Sequence, residues 1–166
     1  MAEAATATTY VYDATDLVLG RLASVVAKQL LSARREGRED RVIVTNSECA
    51  IVSGKSESVF AEYQTRYELN HPRKGPFFPR MPDLIFKRTV RGMLPYQKKS
   101  SGRAAFKALR VEIGCPSHLN GDELPDGHQH GESDSLKRGL PERFVRLGEI
   151  SESLGAPAHR WNGGES

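Results

Sequence analysis

A few short motifs in this 166-residue sequence contain residue types that could do chemistry. Gly54-Lys55-Ser56 matches the end of a phosphate-binding loop, in which backbone amides surround the phosphates and the lysine neutralises them. That loop needs a glycine five residues before its final glycine, and the sequence has Cys49 there. The β-branched residues Ile51 and Val52 also favour a strand over such a loop. A strand-to-helix turn with an exposed lysine explains the same residues. A small nucleotide-binding or phosphoryl-transfer enzyme that uses Gly54-Lys55-Ser56 is one alternative for the function of the chain.

The other candidates for a chemical site are weaker. Gly20 stands alone after the first predicted strand, where a dinucleotide fingerprint needs three glycines. One cysteine and three histidines suggest a metal, but their spacing fits no standard zinc pattern and only one thiol is available. These four residues are Cys115, His118, His128 and His130. All five histidines fall in loop-like segments without a paired nucleophile. The sequence therefore predicts no catalytic residue, no metal and no cofactor.

The strongest signal is a basic region. Between Arg66 and Arg110 the chain has 12 lysines or arginines and two acids, Glu68 and Asp83, which leaves 12 basic and 19 acidic residues elsewhere. The overall charge of +3 hides this contrast. A local excess of this size favours a polyanion partner, most simply nucleic acid. A solvated basic face without a partner is the alternative.

The first part of this basic region is a proline-rich segment. Asn70–Pro82 has four prolines in thirteen residues, a composition that helix and strand interiors exclude. Three cations surround two aromatic residues, a mixture that suits phosphate contact and stacking on bases. The cations are Arg73, Lys74 and Arg80, and the aromatic residues are Phe77 and Phe78. Anchoring of the loop to the core by the two phenylalanines is an equal alternative.

A helix is predicted from Pro82, because proline suits the first helical position. At about 100° per residue the helix separates into an apolar side and a cationic side. The apolar side has Phe86, Val90 and Met93, and the cationic side has Lys87, Arg88 and Arg91. Gly92 and Pro95 end or bend the helix.

A second short helix is predicted after the turn Gln97–Gly102, whose tip carries Lys98 and Lys99. Spacings of four and three residues place three cations on one face of this helix, namely Arg103, Lys107 and Arg110. Two cationic helices with a basic loop between them would form a broad phosphate-binding surface. Arginine outnumbers lysine, which favours bidentate phosphate contacts and stacking.

The rest of the chain predicts a scaffold of strands and helices. Runs of β-branched and aromatic residues indicate strands at 8–13, 41–46, 50–52, 111–114 and 144–147. A helix capped by Asp16 has its apolar positions at Leu19, Leu22, Ala23, Val26 and Leu30, and another covers Lys55–Tyr67. Residues 115–141 read as an irregular surface segment, 150–154 as one helical turn, and the C-terminal tail as extended with Trp161 as its anchor. This alternation indicates an α/β layer with a mostly parallel sheet.

Length and composition set the protein class. The chain is long enough for one domain with its own core, and 38% hydrophobic with 27% charged residues is usual for globular proteins. No apolar run reaches the length of about 18 residues that a membrane helix needs. Met1–Thr9 has no signal-peptide pattern, and two cysteines without a pairing pattern suit a reducing compartment, so we predict a cytoplasmic protein.

Several motifs together resemble one protein family. They are Leu19–Ser24, Val42–Gly54, Gly75–Arg80, Pro82–Pro95, Gly102–Phe106 and Leu147–Ser151. In this order they resemble the universal large-subunit ribosomal protein L-thirteen family, in its archaeal or eukaryotic branch. The resemblance covers roughly Val11–Leu154, and its most specific part is Arg91-Gly92-Met93-Leu94-Pro95 after a basic helix.

The resemblance implies a three-layer α/β/α fold with a four-stranded parallel sheet. It also implies a non-enzymatic, structural component of the cytoplasmic large ribosomal subunit that binds large-subunit rRNA and aids assembly. Neighbouring large-subunit ribosomal proteins would be further partners, with no membrane and no small-molecule substrate. Residues 1–166 would form one domain, with a scaffold at about 8–67 and 111–154, a basic excursion at about 70–110, and extended tails at 1–7 and 158–166.

The sequence predicts the following RNA-binding residues: Arg73, Lys74, Phe77, Arg80, Lys87, Arg88, Arg91, Lys98, Lys99, Arg103, Lys107 and Arg110. A basic protein-interaction module outside the ribosome is a third possible function.

Overall fold

A computed structural model describes residues 7–121, 124–133 and 136–162. The strands are β1 (Thr9–Asp13), β2 (Arg41–Thr45), β3 (Ile51–Ser53), β4 (Leu109–Val111), β5 (His128–His130) and β6 (Phe144–Arg146). The α-helices are α1 (Leu19–Arg35), α2 (Ser56–Glu68), α3 (Pro82–Met93), α4 (Ser100–Lys107), α5 (Leu147–Ser153) and α6 (His159–Asn162). Short 3₁₀ helices cover Ser47–Cys49 and Ser117–Leu119. No helix of these ranges is long and apolar enough to cross a membrane.

Four parallel strands form the main sheet in the order β4-β2-β1-β5. Tyr10 pairs with Val42, and Val42 pairs with Leu109, so these three side chains share one face. The β-branched and aromatic residues of β1 and β2 fit such a pleated, half-buried surface. The predicted α/β fold with a four-stranded parallel sheet is confirmed.

Helices lie on both sides of this sheet. The core side is formed by α1, α3 and α4, whose apolar residues join Val42 and Val44 in one cluster. Ile43 and Arg110 alternate to the opposite side. Together with His118 of the Ser117–Leu119 turn they line part of a groove at the start of the strands, which α4 also lines through Lys107. Strand alternation therefore directs one face into the main core and the other towards a short 3₁₀ helix.

The fourth strand lies where an irregular segment was predicted. His128–His130 pairs with Thr9–Val11 at the edge of the sheet, so the prediction of irregular structure for 115–141 is wrong at these residues. His-Gln-His has no apolar alternation, and its strand conformation comes from the backbone of β1. Such a tertiary effect leaves no local signal in the sequence.

Two predicted strands exist but belong elsewhere. β3 and β6 pair with each other as an antiparallel ribbon outside the main sheet, with Val52 opposite Val145. The strand predicted at 111–114 begins earlier, at Leu109, and ends at Val111. The helical turn predicted at 150–154 is α5, and the helix predicted at 55–67 is α2, shifted by one residue.

Helix α1 follows its predicted apolar stripe, but its start differs. All five predicted inward positions, Leu19, Leu22, Ala23, Val26 and Leu30, are buried. The prediction that Asp16 caps the helix is wrong, because the capping residue is Val18 and makes no side-chain hydrogen bond there. Asp16 has a φ of 57°, and its carboxylate accepts a hydrogen bond from Arg146 Nη2 at 2.8 Å. This ion pair joins the start of α1 to β6.

The helices of the basic region belong to the core as well as to the surface. Ile85, Phe86 and Val90 of α3 and Ala105 of α4 are buried in the main cluster. Residues 70–110 are therefore only partly an excursion, because both helices close the core over α1. Met93 was predicted on the buried side but is 42% exposed. A helical wheel ignores position along the axis, and Met93 lies at the end of α3.

The chain ends have little regular structure among the described residues. Residues 159–162 form the short helix α6, where an extended tail was predicted. Trp161 lies against α5, because a Cβ atom added to Gly148 would be 3.1 Å from Trp161 Nε1. This contact agrees with its predicted role as an anchor. The tails predicted at 1–6 and 163–166 lie outside the described residues.

Candidate nucleic-acid interface

Helix α3 positions the first group of predicted RNA-binding residues. It begins at Pro82, and its buried side fixes its rotation against the core. The opposite side presents Lys87, Arg88 and Arg91, of which the first two are half-buried and the third is exposed. The predicted separation of an apolar and a cationic side is therefore present, apart from Met93.

Two of these arginines stack on aromatic rings. The Arg88 guanidinium carbon lies 5.1 Å from the ring centre of Phe78, and that of Arg91 lies 4.4 Å from the ring centre of Tyr96. Tyr96 in turn meets Phe106 edge-to-face, with 5.4 Å between ring centres. Stacking orients a guanidinium while its N–H groups stay available for acceptors, so these side chains are held ready for phosphate or base contacts.

The loop between α3 and α4 is fixed by short contacts. The amide of Tyr96 donates to the Leu94 carbonyl at 2.7 Å, and the amide of Lys99 donates to the Pro95 carbonyl at 3.0 Å. A Cβ atom added to Gly102 would be 2.5 Å from the Pro95 oxygen, so only glycine allows α4 to approach this closely. The loop therefore holds its shape while its tip, Lys98, is exposed.

Helix α4 contributes fewer cations than predicted. Arg103 and Lys107 are exposed on it, and Arg103 Nη1 donates to the Tyr96 carbonyl at 3.4 Å. The prediction that Arg110 shares their helical face is wrong, because α4 ends at Lys107 and Arg110 lies in β4. Arg110 forms an ion pair with Glu112. The helix is interrupted because Leu109 and Val111 pair with β2, which the local spacing of basic residues does not reveal.

The proline-rich loop has no helix or strand, as predicted. Its exposed turn carries Arg73 and Lys74 and is closed by a hydrogen bond from the Gly75 amide to the His71 carbonyl, at 2.9 Å. Phe77 in the same loop is 63% exposed. These three side chains are therefore available to a partner.

The second half of the loop is attached to the body of the protein. Phe78 packs edge-to-face on Tyr63, with 6.0 Å between ring centres, and lies against the core. Arg80 Nη1 donates to the Gly155 carbonyl at 3.4 Å, next to the end of α5. Anchoring to the core and stacking on bases were the two alternative roles for the phenylalanines, and each fits one residue. Phe78 anchors the loop, and the exposed ring of Phe77 is free to stack.

Ten of the twelve cations in the window have no acidic partner among the residues that the structure describes. Arg66 pairs with Glu62 and Arg110 with Glu112, at the two ends of the window. Within the described ranges no salt bridge joins an acid to Arg73, Lys74, Arg80, Lys87, Arg88, Arg91, Lys98, Lys99, Arg103 or Lys107. These ten residues are called the cationic surface below. Because no carboxylate of the described residues pairs directly with these ten cations, their positive charge is available to an anionic partner.

An open cleft of about 450 Å³ lies in the cationic surface. Its walls are the end of α3 and the loop that follows. They comprise Arg88, Arg91, Gly92, Leu94, Pro95, Tyr96, Gln97 and Lys98. The sequence interpretation did not assign a binding role to Tyr96 or Gln97. The sequence signal for such a role is that Tyr96, an aromatic residue, follows Pro95 within a run of cations.

Comparison with known proteins identifies the family. A model of the family described as "Ribosomal protein L13" matches residues 7–118. The chain belongs to the ribosomal protein L13 family. The predicted resemblance is confirmed.

Archaeal members of the L13 family are similar over most of their length. A protein of Methanopyrus kandleri is 45% identical over 145 residues, which are 87% of this chain and 86% of the relative. One from Halobacterium salinarum is 46% identical over 88% of this chain and 90% of its own, and one from Haloarcula marismortui is 43% identical over the same shares. Each relative is named "Large ribosomal subunit protein uL13". The prediction that the chain is not an enzyme is confirmed by these names.

The Gly54-Lys55-Ser56 motif is not a phosphate loop in this L13 family member. Ile51–Ser53 is strand β3, and the turn at Gly54 and Lys55 leads directly into α2. A phosphate loop would need several residues of loop in place of that strand. Lys55 is exposed, as the strand-to-helix interpretation predicted.

The cysteines and histidines form no chemical centre among the residues that the structure describes. No group of three or more His, Cys, Asp or Glu side chains there could hold a metal ion. Cys49 and Cys115 are unpaired thiols within the same ranges. Burial is the main cause that raises the pKa of both thiols. Little of either is thiolate at neutral pH, so both are poor nucleophiles.

Proposed function

We propose that the protein is a structural component of the large ribosomal subunit in the cytoplasm. It binds large-subunit rRNA through the cationic surface, supports assembly of the subunit and contacts neighbouring ribosomal proteins. Family membership and the names of the relatives support this role. The single observation that supports the RNA surface most directly is that ten neighbouring cations lack acidic partners within the described ranges.

The cationic surface suits a folded RNA because it is both broad and rigid. Helix α3 is held by its buried residues, and the loop after it by Gly102 and by short hydrogen bonds. Cations on a backbone that is held in place can match the fixed spacing of phosphates in a folded RNA, and that backbone loses little conformational entropy on binding. Such contacts position a protein by the shape of the RNA more than by its sequence.

The proline-rich loop adds a different type of contact. Arg73 and Lys74 offer charge at its exposed turn, while Phe77 offers an aromatic ring for stacking on an unpaired base. Phe78 and Arg80 hold the base of the loop to the body. In this proposal the loop inserts between RNA segments and the helices contact the phosphates around it.

Arg110 takes no part in the proposed surface, although it was predicted to bind RNA. Its guanidinium pairs with Glu112, and it lines the groove at the start of the strands together with His118. Lys107 also lines that groove but has no acidic partner among the described residues. We place Lys107 at the margin of the cationic surface.

The test is the salt dependence of binding to a large-subunit rRNA transcript. Filter binding of the full-length protein is measured at several KCl concentrations. The triple variant Lys87→Ala/Arg88→Ala/Arg91→Ala loses three phosphate contacts. The slope of log K against log salt should therefore decrease in magnitude by about two to three units, since each contact contributes about 0.7–0.9.

The control removes the same charge elsewhere. Lys55→Ala/Arg138→Ala/Arg143→Ala replaces three exposed cations away from α3. Its slope should change by less than about one unit. An unchanged slope in the α3 variant, or an equal change in both variants, would show that α3 does not face RNA.

The ribosomal location is tested separately. In a lysate of the source organism, the protein should sediment with the large subunit and remain there after a high-salt wash. Contacts that combine stacking and a fixed shape resist salt better than charge alone. Recovery only in the soluble fraction would contradict the proposed role.

A further inference from the structure

Gly92 has no structural reason to be glycine. It lies in the last turn of α3, is exposed, and has none of the positive φ values that favour glycine. A Cβ atom added there would meet no protein atom within 4 Å. Glycine is unfavourable in helices compared with alanine. What glycine provides at such a position is room for another molecule to approach the backbone closely.

The nearby Gly102 makes the contrast clear. A Cβ atom at Gly102 would be 2.5 Å from the Pro95 oxygen, so packing within the protein explains that glycine. Gly92 lines the 450 Å³ cleft instead, and the space above it is open. The absence of a side chain at Gly92 therefore widens the cleft, whereas its absence at Gly102 permits a close contact within the protein.

The chemistry of the cleft fits an anionic ligand with a flat ring. Arg88, Arg91 and Lys98 line it, and none of them has an acidic partner in the described part of the chain. The guanidinium carbon of Arg91 lies over the Tyr96 ring, 4.4 Å from the ring centre. Because Arg91 is exposed and lines the cleft, its guanidinium can also stack on a base. Gln97 adds an amide that can donate and accept hydrogen bonds at a base edge.

We propose that this cleft binds one unpaired ribonucleotide of the RNA, with the base stacked on Arg91 and the phosphate bound by Arg88 and Lys98. This inference rests on the proposed function, because it names the ligand within the same surface. A free phosphate would leave the Arg91–Tyr96 stack unused, and an acidic peptide would supply no ring. The volume is within the range of small-molecule sites, and the fixed loop keeps the cleft open before RNA arrives.

The test compares two RNA probes of equal charge. One is a single-stranded ten-nucleotide oligoadenylate, and the other has the same ten phosphates on abasic riboses. The full-length protein should bind the oligoadenylate more tightly by about five- to a hundredfold, the range for one stacked base. Equal affinity for the two probes would show a phosphate site only and would overturn the proposal.

Variants at Gly92 connect this preference with the cleft. Gly92→Gln places a good helix former in the open space, so the variant should melt at the wild-type temperature or slightly above it. In a Phe77→Ala background, which removes the other exposed ring proposed to stack on a base, Gly92→Gln should bind both probes equally. Gly92→Ala, a smaller change, should retain part of the preference. A Gly92→Gln variant that still prefers oligoadenylate to the same degree would refute the cleft as the binding site.

The experiments give different results if the nucleotide cleft is wrong and if the proposed function is wrong. If the Lys87, Arg88 and Arg91 triple variant weakens rRNA binding but wild-type protein binds both short probes equally, the rRNA surface stands and the nucleotide cleft is wrong. If that triple variant binds rRNA with an unchanged salt slope, the proposed surface fails, and the cleft proposal fails with it. Equal competition by polyglutamate and oligoadenylate would also refute the cleft proposal.

Discussion

Two consecutive helices of similar length, α2 and α3, use their charges in opposite ways. On α2, Arg66 pairs with Glu62 one turn away, and Gln64 donates to Glu68 at 2.6 Å. On α3, three cations share one side, and Asp83 in the first turn is the helix's single acid. Helix α2 has three glutamates and one arginine, and that arginine is paired, so α2 has a net negative charge and presents no free cation. A helix that leaves its cations unpaired has a surface suited to an anionic partner.

Helix α3 also buries more side chains in the core than α2 does. Helix α2 buries only Val59 and Tyr63, whereas α3 buries Pro82, Ile85, Phe86 and Val90. The helix whose cations we propose to bind RNA is thus also the one that buries more side chains. The comparison shows that charge alone does not define a binding surface, because the charges must also be held in place.

The largest expected effect comes from loosening α3. Phe86 is fully buried, and Phe86→Ala should lower the free energy of unfolding by about 3–5 kcal/mol because it leaves a cavity. Urea denaturation measures this change. Val59→Ala in α2 removes less buried volume and should cost less. An equal loss in both variants would mean that the two helices are anchored equally.

A smaller effect should follow when α3 is given the charge arrangement of α2. Leu84 is 46% exposed and lies four residues before Arg88, the same spacing that separates Glu62 from Arg66. Leu84→Glu should pair with Arg88, change stability by only about 0.3–0.5 kcal/mol, and reduce the magnitude of the rRNA salt slope by about one unit.

The matched control is Leu84→Gln, which has the same shape without the charge. Its salt slope should equal that of the wild type, as filter binding will measure. If Leu84→Glu and Leu84→Gln bind rRNA alike, neutralising Arg88 has no consequence, and the distinction between paired and unpaired cations fails.

The smallest expected effect comes from releasing the arginine of α2. Glu62→Gln removes the partner of Arg66, an exposed pair, and should lower stability by about 0.3–0.5 kcal/mol in thermal or urea unfolding. Binding to the rRNA transcript should stay within about twofold, since α2 lies outside the cationic surface. A clear gain in rRNA affinity would extend the binding surface to α2 and weaken the contrast.

The sequence predicts those features that depend on local periodicity. The stripe Leu19–Leu30 of α1 and the two sides of α3 follow from a helical period, and both occur in the structure. The proline-rich loop follows from composition. The predicted burial of Met93 is wrong because a helical wheel does not represent position along the helix axis. The predicted capping by Asp16 is wrong because its backbone adopts a left-handed conformation that suits the ion pair with Arg146.

Features that depend on distant chain segments escaped prediction. His128–His130 becomes a strand only because β1 offers it hydrogen bonds, and Arg110 leaves α4 only because β4 pairs with β2. Tyr96 acquires its role by stacking with Arg91 and Phe106, which a sequence alone does not bring together. The residue types of the candidate site were thus predictable, while its cleft was not.

The double role of α3 also matters during synthesis. Its buried side packs against α1, which is made some sixty residues earlier, and against β4, which is made afterwards. A nascent chain that stops before Leu109 lacks that strand, so part of the packing that orients α3 is missing. Under the proposed function, we therefore expect incomplete copies of the chain to bind RNA more weakly than copies with a closed core.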